Sequence, residues 1–378
     1  NEFVPNDPEI SKQWFINNIQ LPKAWEITKG NKKVVIAIID SGVDWEHPDL
    51  AENIWTNTKE IPNNGVDDDG NGKIDDVNGW DFVGNVSQQD IVNGNWREDN
   101  NPKNIAGFHG THVAGLASAV TNNGKGIASS GFSCSILPIK TSPDQGGMGI
   151  YRGYEAIVYA ANMGAKIINC SWGGPGFSPA EQDIINYATN KGSLVVVASG
   201  NDGAYIDFGG QYPAGYDNVL CVGGTNSSNK VASFSNWGIK VTVYTPGQTI
   251  YSTMPNGTYS NQTGTSMSSP ITAGVAGLVA ALHNEWTPKQ ILHQIRSTSD
   301  NVLATTPEQR PYYYGKLNAY NAVYYNNAPG LEIYEYSFSR GSALSDYLPN
   351  VIQLKVRNYL SAASNVKLTL RPFNNYIS

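Results

Sequence analysis

The sequence contains little charge, no basic cluster and no long apolar run. Charged residues make up 15% of its 378 positions, and 25 basic residues against 32 acidic ones give a net charge of −7. Its longest basic run is Lys32 and Lys33, so the clustered basic surface of a nucleic-acid binder is missing and we expect no nucleic-acid partner. Apolar stretches such as 273–282 fall short of the roughly 20 residues that cross a bilayer, so we expect no membrane span.

Cysteine is also scarce. The three cysteines, Cys134, Cys170 and Cys221, cannot form a disulfide framework, and at least one must be a free thiol. Each lies near an apolar run, which favours buried thiols. The chain starts at Asn1 without a signal peptide, so we expect it to be either a processed or a trimmed form.

What the sequence does contain is apolar material in alternating patterns. Apolar residues account for 40% of the chain and glycine for 39 positions, which indicates a compact, loop-rich fold and excludes a coiled coil or a mostly disordered chain. Continuous apolar runs predict buried strands at 34–39, 166–170, 194–198 and 219–222. Helical patterns lie between them at 151–163, 179–190 and 266–283. The alternation predicts an α/β fold with a doubly wound, mostly parallel sheet.

The pattern changes near residue 329. Apolar residues then alternate with period two at 351–356 and 366–370, which predicts antiparallel strands. We therefore expect two domains: a catalytic domain over 1–328, and a partial β-sandwich of immunoglobulin-like type over 329–378. A complete sandwich of this kind needs about 100 residues, so we expect only part of one.

Three segments carry chemistry at positions where strands end or helices begin. Asp40 ends the first apolar run, His109 begins a run of small residues, and Ser266 precedes an apolar helix. Singly, each has a plain structural interpretation, such as a turn Asp or a helix-capping Ser. Together they supply an acid, a base and a nucleophile, because a serine hydroxyl needs a neighbouring base that is itself oriented by an acid.

Metal binding by His109 is the alternative for that segment. His109 and His112 are spaced to share one helix face, but zinc would want a third protein ligand and no such pattern is present. For His112 we favour a structural histidine.

An acidic loop at 67–76 predicts a calcium site. Its residues match the ligand positions of an EF-hand-type loop, with Gly72 at the sharp turn. Position 12 is Asn78 rather than the bidentate Glu, so Asp76 or a backbone oxygen must complete the shell. The alternative is a solvated acidic turn, but carboxylates at this spacing repel one another without a cation. The expected ligands are Asp67, Asp69, Asn71, the Lys73 carbonyl, Asp75 and Asp76.

The segments DSG at 40–42, HGTHVAG at 109–115 and GTSMSSP at 264–270 resemble the three signatures of the subtilisin-like serine proteases, or subtilases. The resemblance covers about residues 10–325. It implies a sheet of subtilisin type and a serine endopeptidase that works through an acyl-enzyme. In that comparison Ser266 is the nucleophile, His109 the base and Asp40 the residue that orients it.

The same resemblance implies further sites. Asn201, in the segment SGNDG, corresponds to the family's oxyanion donor. The substrate-binding residues would be Ser171, Trp172, Gly173 and Gly200, with Trp172 larger than the aliphatic side chain expected there. Asp49 would bind a second structural Ca²⁺ near the N-terminus, with a partner from 6–8. Substrates would be proteins or peptides bound by β-augmentation, with apolar or aromatic side chains favoured before the cut. Members of this family are usually made with an inhibitory propeptide and exported. The resemblance therefore also implies inhibition by a propeptide that is later removed, and a secreted or cell-envelope location.

Three other functions are open at this point. One is a silent member of the family whose β-sandwich does the binding, although all four residues of the expected machinery are present. Another is a glycoside hydrolase with two carboxylates, but no acidic pair lies in a motif. The third is a serine acyltransferase or esterase of another fold, which the missing Gly-x-Ser-x-Gly element around Ser266 disfavours.

Overall fold

A computed structural model describes residues 2–104, 106–146, 149–207, 210–302, 315–326, 331–338 and 352–359. The strands are β1 Val35–Asp40, β2 Trp80–Asp81, β3 Ser135–Lys140, β4 Ile167–Cys170, β5 Leu194–Ala198, β6 Val219–Thr225, β7 Val243–Pro246, β8 Ile250–Met254, β9 Thr258–Gln262, β10 Leu331–Phe338 and β11 Ile352–Asn358. The α-helices are α1 Phe15–Asn18, α2 Leu21–Ile27, α3 Gln88–Asn93, α4 His109–Ser118, α5 Gly153–Asn162, α6 Pro179–Asn190, α7 Thr265–Leu282, α8 Pro288–Ser297 and α9 Ala319–Tyr324.

The centre of the molecule is a seven-stranded parallel sheet in the order β2-β3-β1-β4-β5-β6-β7. This confirms the predicted doubly wound fold. The chain leaves β1 to one side for β3 and later returns to its other side with β4. The carboxyl end of β1 is therefore a topological switch point, which is where open α/β sheets bind ligands.

Both faces of the sheet are covered by helices, as its continuously apolar strands require. Along β1, Ile36 and Ile38 pack into one core with α4 and α7. Ala37 and Ile39 point to the opposite face and pack with α5 and α6. The two faces give two apolar cores with the sheet between them.

The long helix α7 lies inside the first of these cores. Within the described part of the chain it alone has the length and apolar composition of a membrane-crossing helix, but 83% of that window is buried inside the protein. A helix at the centre of a domain meets the same test, so α7 is weak support for a membrane span. All three cysteines are buried and unbridged, as predicted.

After α9 the described chain continues as an antiparallel pair, β10 and β11. The predicted period-two strand at 351–356 thus corresponds to β11. The predicted strand at 366–370, and most of the region 329–378, lie outside the described residues, so the division into domains 1–328 and 329–378 stays a prediction.

Candidate active site

The three chemistry-bearing segments meet in one cleft at the switch point. Asp40 is the last residue of β1, His109 the first of α4, and Ser266 lies in the first turn of α7. All three line a cavity of about 630 Å³. Parallel strands end at the same edge of the sheet, and the helices that follow begin there, so the topology brings these side chains together.

Asp40 and His109 form a buried pair. His109 Nδ1 lies 2.8 Å from Asp40 Oδ1 and 3.0 Å from Oδ2. Asp40 is 1% exposed, and its Oδ1 also accepts the N–H of Ser41 at 2.7 Å. Because the carboxylate only accepts, Nδ1 must carry a proton, which leaves Nε2 with a lone pair.

Two opposing effects set the pKa of His109. Burial lowers it, but the Asp40 charge and the hydrogen bond to Asp40 together outweigh burial, so the pKa lies above its ordinary value of 6.5. This makes His109 a stronger base than an isolated imidazole in the same cleft.

Close packing at the start of α4 fixes His109 against β1. A Cβ on Gly110 would lie 2.3 Å from the carbonyl oxygen of Gly42, so only glycine permits this approach. The Gly110 N–H donates to Ser41 Oγ at 3.1 Å, which satisfies one of the helix's unpaired first-turn donors.

The Ser266 hydroxyl is held by Ser171. Ser266 Oγ donates to the Ser171 carbonyl at 3.1 Å, and Ser171 Oγ donates to the Ser266 carbonyl at 2.9 Å. The second bond has a cause in the helix itself. Pro270, four residues after Ser266, has no N–H to give to the Ser266 carbonyl, and Ser171 supplies the missing donor.

Ser171 is itself held by a buried chain of hydrogen bonds. Asn169 Nδ2 donates to Ser171 Oγ at 3.0 Å, and Ser269 Oγ donates to Asn169 Oδ1 at 2.7 Å. Asn169 and Ser269 are both fully buried. This chain connects the end of β4 to the second turn of α7.

Asn201 anchors its oxygen on the same helix. Asn201 Oδ1 accepts the Thr265 N–H at 2.8 Å and the Thr265 hydroxyl at 3.0 Å. These bonds fix which end of the amide faces α7 and direct Nδ2 away from Thr265. Thr265 was not among the predicted residues, since a threonine beside Ser266 carries no signal of its own.

The predicted substrate-binding residues divide into two groups. Ser171, Trp172 and Gly173 line the cavity, whereas Gly200 is not among the described lining residues. Trp172 is half-buried, and its Nε1 donates to the Ile39 carbonyl at 3.0 Å. Gly200 has φ +101°, and a Cβ there would lie 2.3 Å from Asn236 Nδ2. Backbone conformation and local packing therefore explain why this position is a glycine.

His112 lies on the buried side of α4. It is fully buried, and its Nε2 lies 3.1 Å from the Ser260 carbonyl. Burial lowers its pKa to about 4, so it stays neutral. This supports the structural interpretation of His112.

The acidic loop brings three carboxylates together, one of which was not predicted. Ligand oxygens of Glu60, Asp67 and Asp69 lie within 4.8 Å of one another. Glu60 is 5% exposed and accepts the N–H groups of Asp68 and Asp69. No loop position marks Glu60 in the sequence, because it precedes the motif. Oxygen donors of this type fit Ca²⁺, and three such charges in one place call for a cation.

The other predicted ligands of this loop have different partners. Asp75 accepts the N–H groups of residues 64 and 65. Asp76 is fully buried and accepts Tyr159 OH at 2.6 Å and the side-chain amide of Asn71 at 2.9 Å. Asn71 Oδ1 accepts the Lys73 N–H at 2.7 Å. These side chains brace the loop around the group of three.

A second pair of acidic residues, Asp49 and Asp7, contacts the segment at Asn122 and Asn123. Asp49 is fully buried and accepts the side-chain amide of Asn123 at 2.8 Å. Asp7 accepts the N–H groups of Asn122 and Asn123. Burial raises the pKa of Asp49 to about 6, and the charge of Asp7 adds to the rise. Of the segment 6–8, in which a partner for Asp49 was expected, Asp7 is the residue whose charge acts on Asp49; binding of Ca²⁺ by this pair stays a prediction.

Comparison with known proteins gives consistent matches. A model described as the subtilase family matches residues 31–316. Thermitase of Thermoactinomyces vulgaris is 40% identical over 325 residues, spanning 85% of this chain and 100% of thermitase. The halolysin-like extracellular serine protease Nep of Natrialba magadii is 33% identical over 85% of this chain and 53% of its own. Among solved structures, a protease from Pseudoalteromonas arctica superimposes with a TM-score of 0.68 at 26% identity, covering 85% of this chain and 98% of its own.

Proposed function

The chain belongs to the subtilase family of serine endopeptidases, and on that premise we propose that it cleaves peptide bonds through an acyl-enzyme formed on Ser266. His109 is the general base and Asp40 orients it. One observation carries the proposal: His109 Nδ1 lies 2.8 Å from Asp40 in the cavity that Ser266 also lines.

The geometry supports an order of steps. His109 Nε2 takes the Ser266 proton as Oγ attacks the substrate carbonyl carbon, and the imidazolium that forms faces the Asp40 carboxylate. His109 then gives the proton to the leaving amine, and water repeats the sequence to release the acyl group. Before substrate binds, Ser266 Oγ donates to Ser171. Rotation about its Cα–Cβ bond exchanges this acceptor for His109, in keeping with catalytic hydrogen bonds that tighten only in the complex.

The tetrahedral oxyanion would be stabilised at the start of α7. Asn201 keeps its oxygen on Thr265, so its Nδ2 is available as a donor. The Ser266 N–H in the first helical turn is the natural second donor, aided by the helix dipole. The peptide would pair with the chain at Ser171 and Gly173, with Trp172 as a wall of the cleft.

We propose that Ca²⁺ stabilises the fold at two places. The first is the group Glu60, Asp67 and Asp69; the second is Asp7 with Asp49, where Asn123 adds an amide. At both places the role of Ca²⁺ would be structural rather than catalytic, because the ion would offset carboxylate repulsion and fix loops. We also propose Asn71, the Lys73 carbonyl, Asp75 and Asp76 as further ligands of the first site.

The cellular setting is also a proposal. Relatives named as extracellular proteases support action outside the cell or at its envelope, with an inhibitory propeptide removed on maturation. The proposed division is a catalytic domain over 1–328 and a partial β-sandwich over 329–378, and the support for the second is the antiparallel pair β10–β11.

The decisive experiment is intact-mass analysis after treatment with a fluorophosphonate. We expect one covalent adduct that maps to Ser266 and is missing in Ser266→Ala, together with a fall in kcat/KM of roughly 10⁶-fold. No adduct in calcium-containing buffer, or wild-type turnover by Ser266→Ala, would contradict the mechanism.

A further inference from the structure

The cavity extends beyond the catalytic groups, past Trp172, to side chains to which the mechanism gives no role. Trp172, Tyr154 and Tyr212 line this part, and Glu181 lies among them. All four are half-buried. Glu181 is in the first turn of α6, so a rigid element sets its position. We call these four residues the Glu181 subsite.

The Glu181 carboxylate is fixed by a buried tyrosine behind it. Tyr216, 2% exposed, donates its hydroxyl to Glu181 Oε2 at 2.6 Å. Burial, and then the hydrogen bond to Glu181, raise the pKa of Tyr216 to about 12. Burial and the Glu181 charge also raise the pKa of Tyr154. Both hydroxyls therefore stay protonated near Glu181, and the carboxylate is held in place as an acceptor.

Glu181 has no cationic partner in the part of the chain that the structure describes. It belongs to none of the ion pairs there, unlike Glu155, which pairs with Arg152. The described lining of the cavity contains the carboxylates of Asp40 and Glu181 but no Lys or Arg. Asp40 is matched by His109. Glu181 is therefore the one lining carboxylate, among the described residues, that has hydrogen-bond donors but no Lys, Arg or His partner.

Aromatic rings line the same part of the cavity as this charge. Tyr154 and Trp172 meet edge to face with centroids 5.6 Å apart, and Tyr212 lies 4.6 Å from Tyr216. Aromatic faces attract cations, and a guanidinium both stacks on rings and binds a carboxylate through two hydrogen bonds. A neutral apolar side chain would instead desolvate Glu181 without compensation.

We propose that the Glu181 subsite binds a basic side chain of the substrate, Arg in preference to Lys, and that the enzyme favours peptides with such a residue at one fixed distance from the cut. The proposal rests on the proposed function, because that distance is counted from the bond that Ser266 attacks. It differs from the sequence-based expectation of apolar or aromatic side chains before the cut.

The first test compares Arg with citrulline, its neutral counterpart of nearly the same shape. Internally quenched peptides carry one or the other at a single position, scanned through both sides of the scissile bond. We expect the ratio of kcat/KM, Arg over citrulline, to be about tenfold at one position and near one elsewhere. Raising the salt concentration should reduce this ratio, because a half-exposed pair is screened. A ratio near one at every position would overturn the proposal.

The second test assigns the preference to Glu181. Glu181→Gln keeps the shape and removes the charge, and we expect it to bring the Arg-to-citrulline ratio close to one. Asp183→Asn is the matched control, because it removes the same charge from an exposed position on the same helix; its ratio should equal the wild-type value. A ratio that survives in Glu181→Gln would overturn the assignment. If that variant fails to fold, as thermal melting would show, the salt dependence in the unmutated chain decides.

Failure of this inference is distinguishable from failure of the proposed function. A neutral fluorophosphonate reports the activated serine without using the Glu181 subsite. Labelling at Ser266 with no preference for Arg would refute the subsite and leave the mechanism intact. Absence of labelling would refute the mechanism, and with it the proposal.

Discussion

At the scale of single residues, the proposed chemistry depends on the contact between Asp40 and His109. Asp40 is 1% exposed and receives the Ser41 N–H as well as His109 Nδ1. Its charge is what keeps the pKa of His109 above 6.5 in spite of burial, so the pH dependence of activity should report on this pair.

The first prediction concerns Asp40→Asn. Without the charge, burial dominates and the pKa of His109 falls, so the acid limb of kcat/KM should move to lower pH while kcat drops by about 10⁴-fold. In the unmutated enzyme the limb should lie above pH 6.5, because His109 must lose its proton to act. Titration of kcat/KM between pH 5 and 9 measures both. An acid limb that stays in place would contradict this role of Asp40.

The same pair has a defined effect on stability. Because the folded-state pKa of His109 is raised, its stabilisation should be full below pH 6.5, where the unfolded chain is also protonated. It should be lost as the pH rises through the folded-state value. Urea unfolding of Ser266→Ala, which avoids self-digestion, should show this fall with pH, and Asp40→Asn in that background should not.

The second prediction separates the two ends of the Asn201 amide. Asn201→Asp keeps an oxygen for Thr265 but loses the Nδ2 donor, so kcat should fall by about 10²–10³-fold with little change in melting temperature. Asn201→Ala loses both, and should also cost about 1 kcal/mol of stability as a lost helix cap. Wild-type kcat in Asn201→Asp would remove Asn201 from the oxyanion site.

At the scale of elements, α7 shows how a proline inside a helix is accommodated. Pro270 lies in the second turn, so the carbonyl that loses its donor is that of Ser266. Ser171 Oγ fills this gap at 2.9 Å. Because of Pro270, the Ser266 carbonyl is hydrogen-bonded to Ser171, at the end of β4, instead of to an N–H of its own helix.

The third prediction is a double-mutant cycle on this contact. Ser171→Ala should cost about 1–3 kcal/mol, because it leaves the Ser266 carbonyl and the buried Asn169 amide without a partner. In a Pro270→Ala background the restored N–H serves that carbonyl, so the cost of Ser171→Ala should fall by about 1 kcal/mol. Urea unfolding in Ser266→Ala, which keeps the carbonyl in place, measures all four corners. Additive effects would show that Pro270 and Ser171 do not share this acceptor.

Elements differ in how far the sequence could predict them. β1, β4, β5 and β6 were predictable because runs apolar on both faces mark strands between two helical layers. β3 was not, since Pro138 lies within it and proline argues against a central strand. β7 is short, ends at Pro246 and lies at the edge of the sheet, where proline is tolerated. In the sheet, Pro138 of β3 is paired in register with Ile38 of β1. Whether a paired strand tolerates a proline depends on its tertiary surroundings, which the sequence alone does not show.

At the scale of the whole molecule, the location of the site follows from topology. The sequence placed Asp40 at a strand end and His109 and Ser266 at helix starts, and a doubly wound sheet brings such positions to one edge. Details that depend on packing could not be predicted from the sequence. The Ser266 hydroxyl turns to Ser171, and Glu60 and Glu181 come from segments without a motif. Their roles arise from neighbours that are distant in the chain.

The fourth prediction concerns calcium, which would tie such distant segments together. Chelation should lower the melting temperature of Ser266→Ala, because an ion at 100 times its Kd contributes about 2.7 kcal/mol. Asp67→Asn should shrink this shift, whereas Asp68→Asn should not, since Asp68 lies outside the group of three and instead accepts the Ile61 N–H. Mg²⁺ should restore little, because it demands a tight octahedral shell. Equal shifts in both variants would assign the stabilisation to another site, and the set around Asp49 could then be tested by Asp49→Asn.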